Sequence, residues 1–323
     1  MKKLEDICII GNLKENFKFI KSIHEKVEEK LNEKVQLIGI KITKFRDCEI
    51  KVKIEENVRE KQCFFIHDSS IKPVEWFTQL ALTNYALKYA SAKKVIDVLP
   101  YLLFSRQDRK DESRVAINAK VVADVISLYA DRVITVDLHA PQIQGFYNIP
   151  LDNLYSFPYA IRYIFDKYPE MQDNLVIMSP DVGGVERAKA FLKRFTKEFN
   201  KNSELVFGYK HRPKEGEISE YKLVGNVKDK NVLIVDDIVD SGNTLINASE
   251  TLRKNGANKI FAYATHAIFS EGVEKLKPYF DKFFISNTRN INNNYLEIVD
   301  LTDLFAEAIF RIYTQQSLSQ LFE

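Results

Sequence analysis

The chain has little cysteine, no long apolar run and almost no net charge. Its three cysteines, Cys8, Cys48 and Cys63, are scattered, and no spacing among them suits a zinc site or a disulfide framework. Neither the first residues nor any later run has the pattern of a signal peptide or a membrane span. The 47 basic and 45 acidic residues leave a net charge of +2, which argues against nucleic acid as a partner. We therefore expect a cytoplasmic protein with reduced thiols that contacts neither a membrane nor nucleic acid.

What the chain does have is length and apolar content. Its 323 residues are 45% apolar, which favours two domains with large cores. Continuous apolar runs alternate with stretches of helical spacing, and such runs indicate parallel strands covered on both faces. The candidate strands are residues 35–40, 63–66, 95–99, 133–138, 175–178, 205–209, 232–235, 260–264, 283–285 and 296–299. The pattern predicts an α/β fold with two domains, 1–155 and 156–323, joined between the breakers Pro150 and Pro158.

The most informative segment is residues 232–245, VLIVDDIVDSGNTL. A buried strand is predicted to run into Asp236 and Asp237, and a short loop then leads into a helix. The loop consists of Asp240, Ser241, Gly242, Asn243 and Thr244. Its N–H groups and the helix dipole favour an anion, while the two acids can accept hydrogen bonds from sugar hydroxyls or hold a cation. An ordinary turn with a Ser or Thr cap explains each residue alone but not the whole string, which suggests a ribose phosphate site.

Two charged segments each allow two interpretations. Residues 105–114, SRQDRKDESR, form either a solvated loop or an anion site in which Arg106 and Gln107 bind a nucleotide triphosphate. Residues 208–218, GYKHRPKEGEI, form either a mobile basic hairpin or a cationic lid that closes over transferring phosphates. Neither segment decides the function by itself.

Two further residues follow predicted strands. His139 lies in DLHAPQ, and taken alone it is as readily a structural hydrogen-bonding group as a ligand. Asp181 lies in SPDVGG, where the simplest role for a single aspartate is to cap the following helix.

Taken together, these segments resemble the ribose-phosphate pyrophosphokinases, also called phosphoribosyl pyrophosphate synthetases. The first segment resembles the phosphoribosyl pyrophosphate loop that type I phosphoribosyltransferases share with them. The resemblance runs from about residue 44 to residue 322, in order and spacing, through KFRDCE, SRQDRKDESR, DLHAPQIQGFYNIPLDNLY, SPDVGG and ISNT. It looks closest to the phosphate-activated, Mg²⁺-dependent class that uses ATP.

The resemblance implies a fold, a reaction and an assembly. The fold is two tandem domains like type I phosphoribosyltransferases, each a mainly parallel sheet flanked by helices, with the C-terminal helix packed back on the N-terminal domain. The reaction is attack of the anomeric hydroxyl of ribose 5-phosphate on the β-phosphorus of MgATP, with AMP leaving. The assembly is a dimer-based homo-oligomer, a hexamer in the family, with inorganic phosphate or ADP as effectors.

The resemblance also implies a role for each matching residue. Adenine would contact Phe45, Asp47 and Glu49, which reach into a neighbouring subunit's site, and ATP would also contact Arg106 and Gln107. Mg²⁺ and the triphosphate would be held by His139 and Asp181, largely through metal-bound water. The catalytic group would comprise Lys210, Arg212 and His139, with the two lid cations stabilising the transition state. Ribose 5-phosphate would bind Asp236, Asp237, Asp240, Ser241, Gly242, Asn243 and Thr244, and the allosteric region would include Arg59.

Three departures from the family pattern stand out. Asn243 replaces a second glycine of the phosphate loop, and Cys48 replaces a glycine in the adenine-contacting turn. Residues 67–82, HDSSIKPVEWFTQLAL, replace a segment that lies near the regulatory and subunit surfaces in the family. We expect the change at Asn243 to be tolerated, whereas Cys48 could alter the turn that presents Asp47 and Glu49. The segment 67–82 bears on regulation and on the form of the oligomer.

Two other functions are consistent with parts of the sequence. A non-catalytic regulatory paralogue would keep the fold, but such proteins usually lose or interrupt the lid or the ATP segments, which are present here. A phosphoribosyltransferase would explain residues 232–245 but not SRQDRKDESR or KFRDCE. A nucleobase requirement for turnover would distinguish it.

Overall fold

The computed structural model of the protein describes residues 6–211 and 220–321. They form two compact units. The first comprises Met1–Tyr155, Thr288–Asn290 and Leu301–Glu323, and the second comprises Ser156–Asn287 and Ile291–Asp300. Each unit contains one seven-stranded sheet. Within these described ranges, no helix combines the length and the apolar character needed to cross a membrane.

The first unit has the strand order β3-β2-β1-β4-β5-β6-β7, and every pairing except that of β2 with β3 is parallel. Its strands are β1 (Ile7–Gly11), β2 (Gln36–Lys44), β3 (Ile50–Ile54), β4 (Gln62–Ile66), β5 (Lys94–Leu99), β6 (Arg132–Val136) and β7 (Leu151–Leu154). Its helices are α1 (Phe17–Leu31), α2 (Pro73–Tyr89), α3 (Asn118–Ser127), α7 (Thr302–Tyr313) and the 3-10 helix Pro141–Phe146. The central strands β1 and β4 are buried at every position, because helices cover both faces of the sheet.

The C-terminal helix α7 packs on α1 inside the first unit. The rings of Phe19 and Phe305 meet edge to face, with their centres 5.9 Å apart. At the rim of this contact Lys30 Nζ lies 2.9 Å from Glu307 Oε2. Buried aromatic contact of this kind supplies most of the stabilisation, and the half-exposed ion pair adds little.

The second unit repeats the design with the strand order β10-β9-β8-β11-β12-β13-β14, in which only β9 and β10 pair antiparallel. Its strands are β8 (Leu175–Ser179), β9 (Glu204–His211), β10 (Glu220–Val224), β11 (Asn231–Val239), β12 (Ile260–Ala267), β13 (Lys282–Ser286) and β14 (Leu296–Val299). Its helices are α4 (Phe157–Lys167), α5 (Val185–Phe199) and α6 (Asn243–Lys254), with short 3-10 helices at Pro169–Gln172 and Glu274–Leu276. The predicted fold class, two mainly parallel sheets flanked by helices, is confirmed.

Four strands were not predicted, and several predicted ends were wrong. The missed strands are β1, β3, β7 and β10. Of these, β3 and β10 pair antiparallel at a sheet edge and alternate polar with apolar residues, so they lack the continuous apolar run of a central strand. The strand predicted at 133–138 ends at Val136, because Asp137 adopts a left-handed φ of 44°. The strand predicted at 232–235 continues to Val239, because it stays paired with β12 as far as Ala267.

The core of the first unit encloses the carboxyl group of Asp97 on β5. This side chain is 0% exposed, and Asn84 Nδ2 on α2 donates a hydrogen bond of 2.7 Å to its Oδ2. Burial raises the pKa of Asp97 to about 8, the Asn84 hydrogen bond opposes the rise, and the nearby Asp131 carboxylate adds to it. The folded chain therefore retains a proton that the unfolded chain releases above its ordinary carboxyl pKa.

The stability of the fold should consequently depend on Asp97 across neutral pH. Because the folded pKa is raised, the favourable contribution is full below the unfolded pKa of about 4 and is lost as pH rises toward about 8. Urea unfolding midpoints measured at pH 5 and pH 8 should fall more in the wild type than in Asp97→Asn, which cannot titrate there. Equal losses in the two proteins would contradict this assignment.

Candidate active site

The second unit presents a loop with an anion-binding geometry between β11 and α6. Gly242 precedes the helix with φ 76°, a left-handed value that glycine adopts without strain, and its carbonyl accepts a hydrogen bond of 3.0 Å from the amide of Ile246. Ser241 Oγ accepts a bond of 3.5 Å from the amide of Asn243, the first residue of α6. The first turn of a twelve-residue helix thus follows a tight loop, the arrangement that favours an anion. Asn243 lies in the helix and has no positive φ, so a second glycine is not needed there.

Asp236 and Asp237 lie on β11 just before this loop, and an arginine holds both. Arg187 Nη1 on α5 is 3.0 Å from Asp237 Oδ1 and 3.7 Å from Asp236 Oδ1. The amide of Asp237 also donates a hydrogen bond of 2.9 Å to Asp236 Oδ1. Burial, and then the neighbouring Asp237 carboxylate, raise the pKa of Asp236 well above its ordinary value, while Arg187 opposes the rise. The pair thus offers sugar hydroxyls several acceptor oxygens in a fixed position.

Sequence reasoning did not identify Arg187. An arginine inside a predicted amphipathic helix has no local signal that separates it from other surface cations. Its role follows only from the parallel pairing of β8 with β11, which brings the start of α5 beside the end of β11.

The segment after β12 packs against the loop of residues 240–244, and sequence reasoning did not predict this contact. A Cβ on Gly242 would lie 2.8 Å from Leu276 Cδ2, so the loop is in close contact with the 3-10 helix Glu274–Leu276. Lys275 Nζ donates a hydrogen bond of 3.1 Å to Asn243 Oδ1 and lies 2.6 Å from Glu271 Oε2. Lys275 therefore places a cation beside a loop whose own residues are neutral or acidic.

Asp181 follows β8, on the strand next to β11, and its exposed side chain has the geometry of a helix cap. Its Oδ1 accepts a hydrogen bond of 2.8 Å from the amide of Gly184, directly before α5. One carboxylate oxygen is thus engaged in local structure. A structural role and a ligand role remain compatible, because a carboxylate has about four lone-pair sites.

Tyr221 on β10 is a third residue that sequence reasoning missed. Its hydroxyl donates a hydrogen bond of 2.7 Å to the carbonyl of Pro180, and a side chain at Gly208 on β9 would overlap its ring. Burial, and then Asp181 and Asp236, raise the pKa of Tyr221 above its ordinary value. Tyr221 therefore lies across β9, close to the acids at the carboxyl edge of this sheet.

Of the two predicted lid cations, Lys210 lies within the described residues. The backbone of Lys210 is in β9, opposite Tyr221 in the antiparallel register. Arg212 lies outside the described residues. The lid interpretation of this segment therefore stays a prediction.

In the first unit, the predicted ATP and metal residues follow neighbouring parallel strands. Arg106 and Gln107 lie on the loop after β5, and exposed His139 lies after β6. The parallel pairing brings them to the same edge of the sheet, where ligands of α/β proteins usually bind. Asn118 Nδ2 donates a hydrogen bond of 2.6 Å to Gln107 Oε1, which ties this loop to the start of α3.

The predicted adenine residues form the turn of the β2–β3 hairpin. Phe45, Asp47 and Glu49 are all exposed, and the side chain of Phe45 is 49% exposed. The amide of Phe45 donates to the carbonyl of Glu49 over 2.8 Å, and Asp47 Oδ1 accepts from the amide of Glu49 over 3.1 Å. Cys48 occupies this turn with φ 73°, the conformation for which the glycine of the family pattern is suited. An exposed aromatic ring on a closed turn is available to a base or to another chain.

The divergent segment 67–82 contributes to the core of the first unit. His67 stacks between Phe65 and Trp76, with ring centres 5.1 and 5.5 Å away, and its Nε2 is 3.0 Å from the carbonyl of Trp76. Burial lowers the pKa of His67 to about 4, so the ring is neutral at physiological pH.

Arg59, the predicted allosteric residue, is exposed on the loop between β3 and β4.

A magnesium site was predicted at His139 and Asp181. Among residues 6–211 and 220–321, no three His, Cys, Asp or Glu side chains cluster in a way that could hold a metal. Mg²⁺ typically takes one or two protein carboxylates and keeps several waters or phosphate oxygens, so the exposed Asp181 carboxylate fits such a sparse ligand set.

Family models and known proteins match most of the chain. The model of the N-terminal domain of ribose phosphate pyrophosphokinase matches residues 9–129, and that of the phosphoribosyl synthetase-associated domain matches residues 207–323. The ribose-phosphate pyrophosphokinase of Chlorobaculum tepidum is 40% identical over 89% of this chain and 88% of that protein. The corresponding protein of Brucella melitensis is 39% identical over 93% of this chain and 96% of its own. The crystal structure of phosphoribosylpyrophosphate synthetase from Mycobacterium smegmatis matches with a TM-score of 0.86 and 26% identity, covering 96% of this chain and 99% of that one.

Proposed function

The chain belongs to the ribose-phosphate pyrophosphokinase family, and from that premise we propose that it transfers the β,γ-diphosphoryl group of ATP to the 1-hydroxyl of ribose 5-phosphate. The products are 5-phosphoribosyl 1-pyrophosphate and AMP. The observation that carries the proposal within this chain is the loop of residues 240–244, which adjoins the acid pair held by Arg187. Neither a regulatory paralogue nor a phosphoribosyltransferase is favoured by the relatives, which are named as pyrophosphokinases.

Ribose 5-phosphate would bind in the second unit. Its 5-phosphate would accept hydrogen bonds from the loop of residues 240–244 and the first turn of α6. Its ring hydroxyls would donate to Asp236 and Asp237, whose oxygens Arg187 holds in place. The loop fixes one end of the sugar and the acids fix the ring, which orients the anomeric hydroxyl.

The reaction forms a bond between the anomeric oxygen and the β-phosphorus of ATP and breaks the bond from that phosphorus to the oxygen that leaves with AMP. The hydroxyl proton is released. Such transfers need positioning and charge neutralisation more than a covalent nucleophile. In this proposal Lys210 and Arg212 neutralise the transferring phosphates, and Arg106 and Gln107 bind ATP.

Mg²⁺ would be held near Asp181 and His139, mainly through its own waters and the substrate phosphates. When bound, it would neutralise the triphosphate and polarise its oxygens. The adenine would contact Phe45, Asp47 and Glu49 of a neighbouring copy, which accounts for an exposed phenylalanine on the β2–β3 turn.

The proposed assembly is a homo-oligomer of dimers, a hexamer, in the cytoplasm. Inorganic phosphate or ADP would act as effector near Arg59. Sedimentation velocity with and without phosphate would measure the assembly separately from turnover.

Phosphorus NMR of the purified protein with ATP, ribose 5-phosphate, Mg²⁺ and inorganic phosphate tests the reaction. We expect AMP and phosphoribosyl pyrophosphate to appear only when the sugar is present. ATP binding by a folded protein without sugar-dependent turnover would favour the regulatory paralogue instead. A requirement for a nucleobase would favour a phosphoribosyltransferase.

Replacing Gly242 with alanine should damage the sugar phosphate site. A non-glycine residue at φ 76° costs about 1–2 kcal/mol, and the new Cβ would also press on Leu276. We expect a lower unfolding free energy together with a raised KM for ribose 5-phosphate. Gly256→Ala is the matched control, because Gly256 has φ 80° but lies at the far end of α6, where a Cβ meets Lys228 at 3.4 Å. That variant should lose the stability due to backbone strain alone, with no change in KM.

Replacing Lys275 with methionine should weaken ribose 5-phosphate binding. The change keeps most of the side-chain length but removes the cation beside Asn243. From the size of partly exposed charge interactions, KM for the sugar should rise about fivefold, while KM for ATP stays unchanged. Lys277→Met removes a cation that instead pairs with Glu274, so it serves as the control. An equal rise in both variants would point to general electrostatics and not to the Asn243 contact.

A further inference from the structure

The core of the first unit holds four side-chain oxygens without a hydrogen-bond partner among the described residues. They are Asn84 Oδ1, Asp97 Oδ1, Thr135 Oγ1 and Tyr147 Oη. The four residues are between 0% and 8% exposed. Buried polar atoms are almost always hydrogen-bonded, and leaving one unsatisfied destabilises the fold. Four such atoms in one unit therefore call for a common explanation.

Strand register and one hydrogen bond bring three of the four residues together. Asp97 pairs with Val133 and Leu99 pairs with Thr135, so Asp97 and Thr135 are diagonal neighbours on the same face of adjacent strands. Asn84 reaches the site from α2, since its Nδ2 bonds Asp97 Oδ2 at 2.7 Å.

Tyr147 completes the group from the chain just after the 3-10 helix Pro141–Phe146, which packs on α3. Burial, and then the charge of Asp97, raise the pKa of Tyr147 above its ordinary value, so the two groups lie within electrostatic reach of each other.

The hydrogen-bonding capacity of the four atoms matches one small ligand. The amide oxygen of Asn84 can only accept, whereas the hydroxyls of Thr135 and Tyr147 can donate or accept. A water molecule donates twice and accepts twice. If Asp97 is ionised, the water donates to Asn84 and Asp97 and accepts from the two hydroxyls. If Asp97 is protonated, it donates to the water, and one hydroxyl turns to accept. The match holds in both states.

We propose that Asn84, Asp97, Thr135 and Tyr147 enclose a binding site for one water molecule. Internal waters in proteins typically make about three hydrogen bonds to otherwise unsatisfied groups, and this site supplies four. A monovalent cation fits less well, because it would leave the hydroxyl hydrogens of Thr135 and Tyr147 without an acceptor.

The water links parts of the fold that the sheet alone does not join. Thr135 is on β6 and Tyr147 follows the 3-10 helix, so they stand on either side of the segment 137–146, which carries His139. Asn84 connects the same site to α2. The water thereby anchors both ends of the His139 segment to the core.

A high-resolution crystal structure of the wild-type protein is the direct test. It should show one density peak about 2.6–3.2 Å from all four oxygens. An empty site in which the four groups bond one another would overturn the proposal. A peak whose occupant is a cation would also overturn it, and that case is recognised by a Tm that changes when Na⁺ is exchanged for K⁺ at constant ionic strength.

A double-mutant cycle provides an independent test. Thr135→Val and Tyr147→Phe each remove one hydroxyl with little change in shape, and each should lower Tm by about 2–4 °C. Because both hydroxyls bind the same water, the combined loss should be clearly smaller than the sum. Thr83→Val is the matched control, since Thr83 is equally buried but its hydroxyl already bonds the carbonyl of Gln79 at 2.7 Å. Paired with Tyr147→Phe it should give an additive loss, and additivity in both cycles would contradict a shared water.

Hydrogen exchange separates the anchoring role from a general loss of stability. Amides in segment 138–146 should exchange faster in Tyr147→Phe than in Thr83→Val at matched global stability. Equal exchange in the two variants would remove the link between this water and the His139 segment.

Discussion

Lys210→Ala is expected to lower kcat by on the order of 10²-fold or more, the usual size of losing one group that stabilises charge in a transition state. The KM for ATP should change little, because Lys210 would act on charge that develops during transfer and not on the bound ground state. Steady-state kinetics that follow AMP formation, with both substrates varied, would measure the two constants separately.

Lys222→Ala is the control for this experiment. Lys222 is an exposed cation on the same strand pair, in register with Tyr209 next to Lys210, so its loss changes the local charge equally. The wild-type kcat should be retained there. An unchanged kcat in Lys210→Ala would contradict a catalytic role for Lys210. An equal fall of kcat in both variants would show that the effect comes from nonspecific electrostatics.

Asp237→Asn is expected to lower kcat/KM for ribose 5-phosphate by roughly 10²-fold. Hydrogen bonds to a charged group contribute about 1.5–3 kcal/mol each, and neutralising Asp237 weakens those that the sugar hydroxyls would make. The variant also removes a carboxylate that lies 3.0 Å from Arg187, so the remaining acid would be held less firmly. Isothermal titration with ribose 5-phosphate should show the loss directly, whether or not the protein turns over.

Asp173→Asn makes the same chemical change at an exposed position of the second unit, where the carboxylate pairs with Lys201 at 3.4 Å. It should leave sugar binding and turnover intact. A second control is ATP affinity, which Asp237→Asn should preserve. Undiminished sugar affinity in Asp237→Asn would remove this residue from the ribose site.

Most of the strands that the sequence predicted are buried on both faces, although the buried strand β1 was missed and the edge strand β14 was predicted. Central strands such as β4, β8 and β12 are continuous apolar runs because helices cover both faces, and that pattern depends on no distant residue. The edge strands β3 and β10 were missed, because a strand with one neighbour and one solvated face can carry many polar residues. The extension of β11 through Asp236 and Asp237 was missed for a related reason. Its pairing with β12, and not apolar character, keeps those residues extended.

The residues of the candidate site also differ in whether the sequence alone could identify them. The loop of residues 240–244 could be recognised from sequence, because a left-handed glycine followed by a helix start is encoded within a few neighbouring residues. Arg187, Lys275 and Tyr221 could not, because each reaches the site from an element distant in sequence. The roles of Arg106, His139 and Asp181 in ligand binding stay predictions.

By itself the sequence determined the fold class, the family and the position of the loop of residues 240–244, since apolar periodicity, motif order and glycine conformation are properties of short stretches of chain. Only the tertiary structure showed which cations lie beside the acid pair and the loop. It also showed that the carboxyl group of Asp97 is buried and not exposed. The physical reason is that charge pairing and desolvation depend on distance in space, which strand order and register set among residues far apart along the chain.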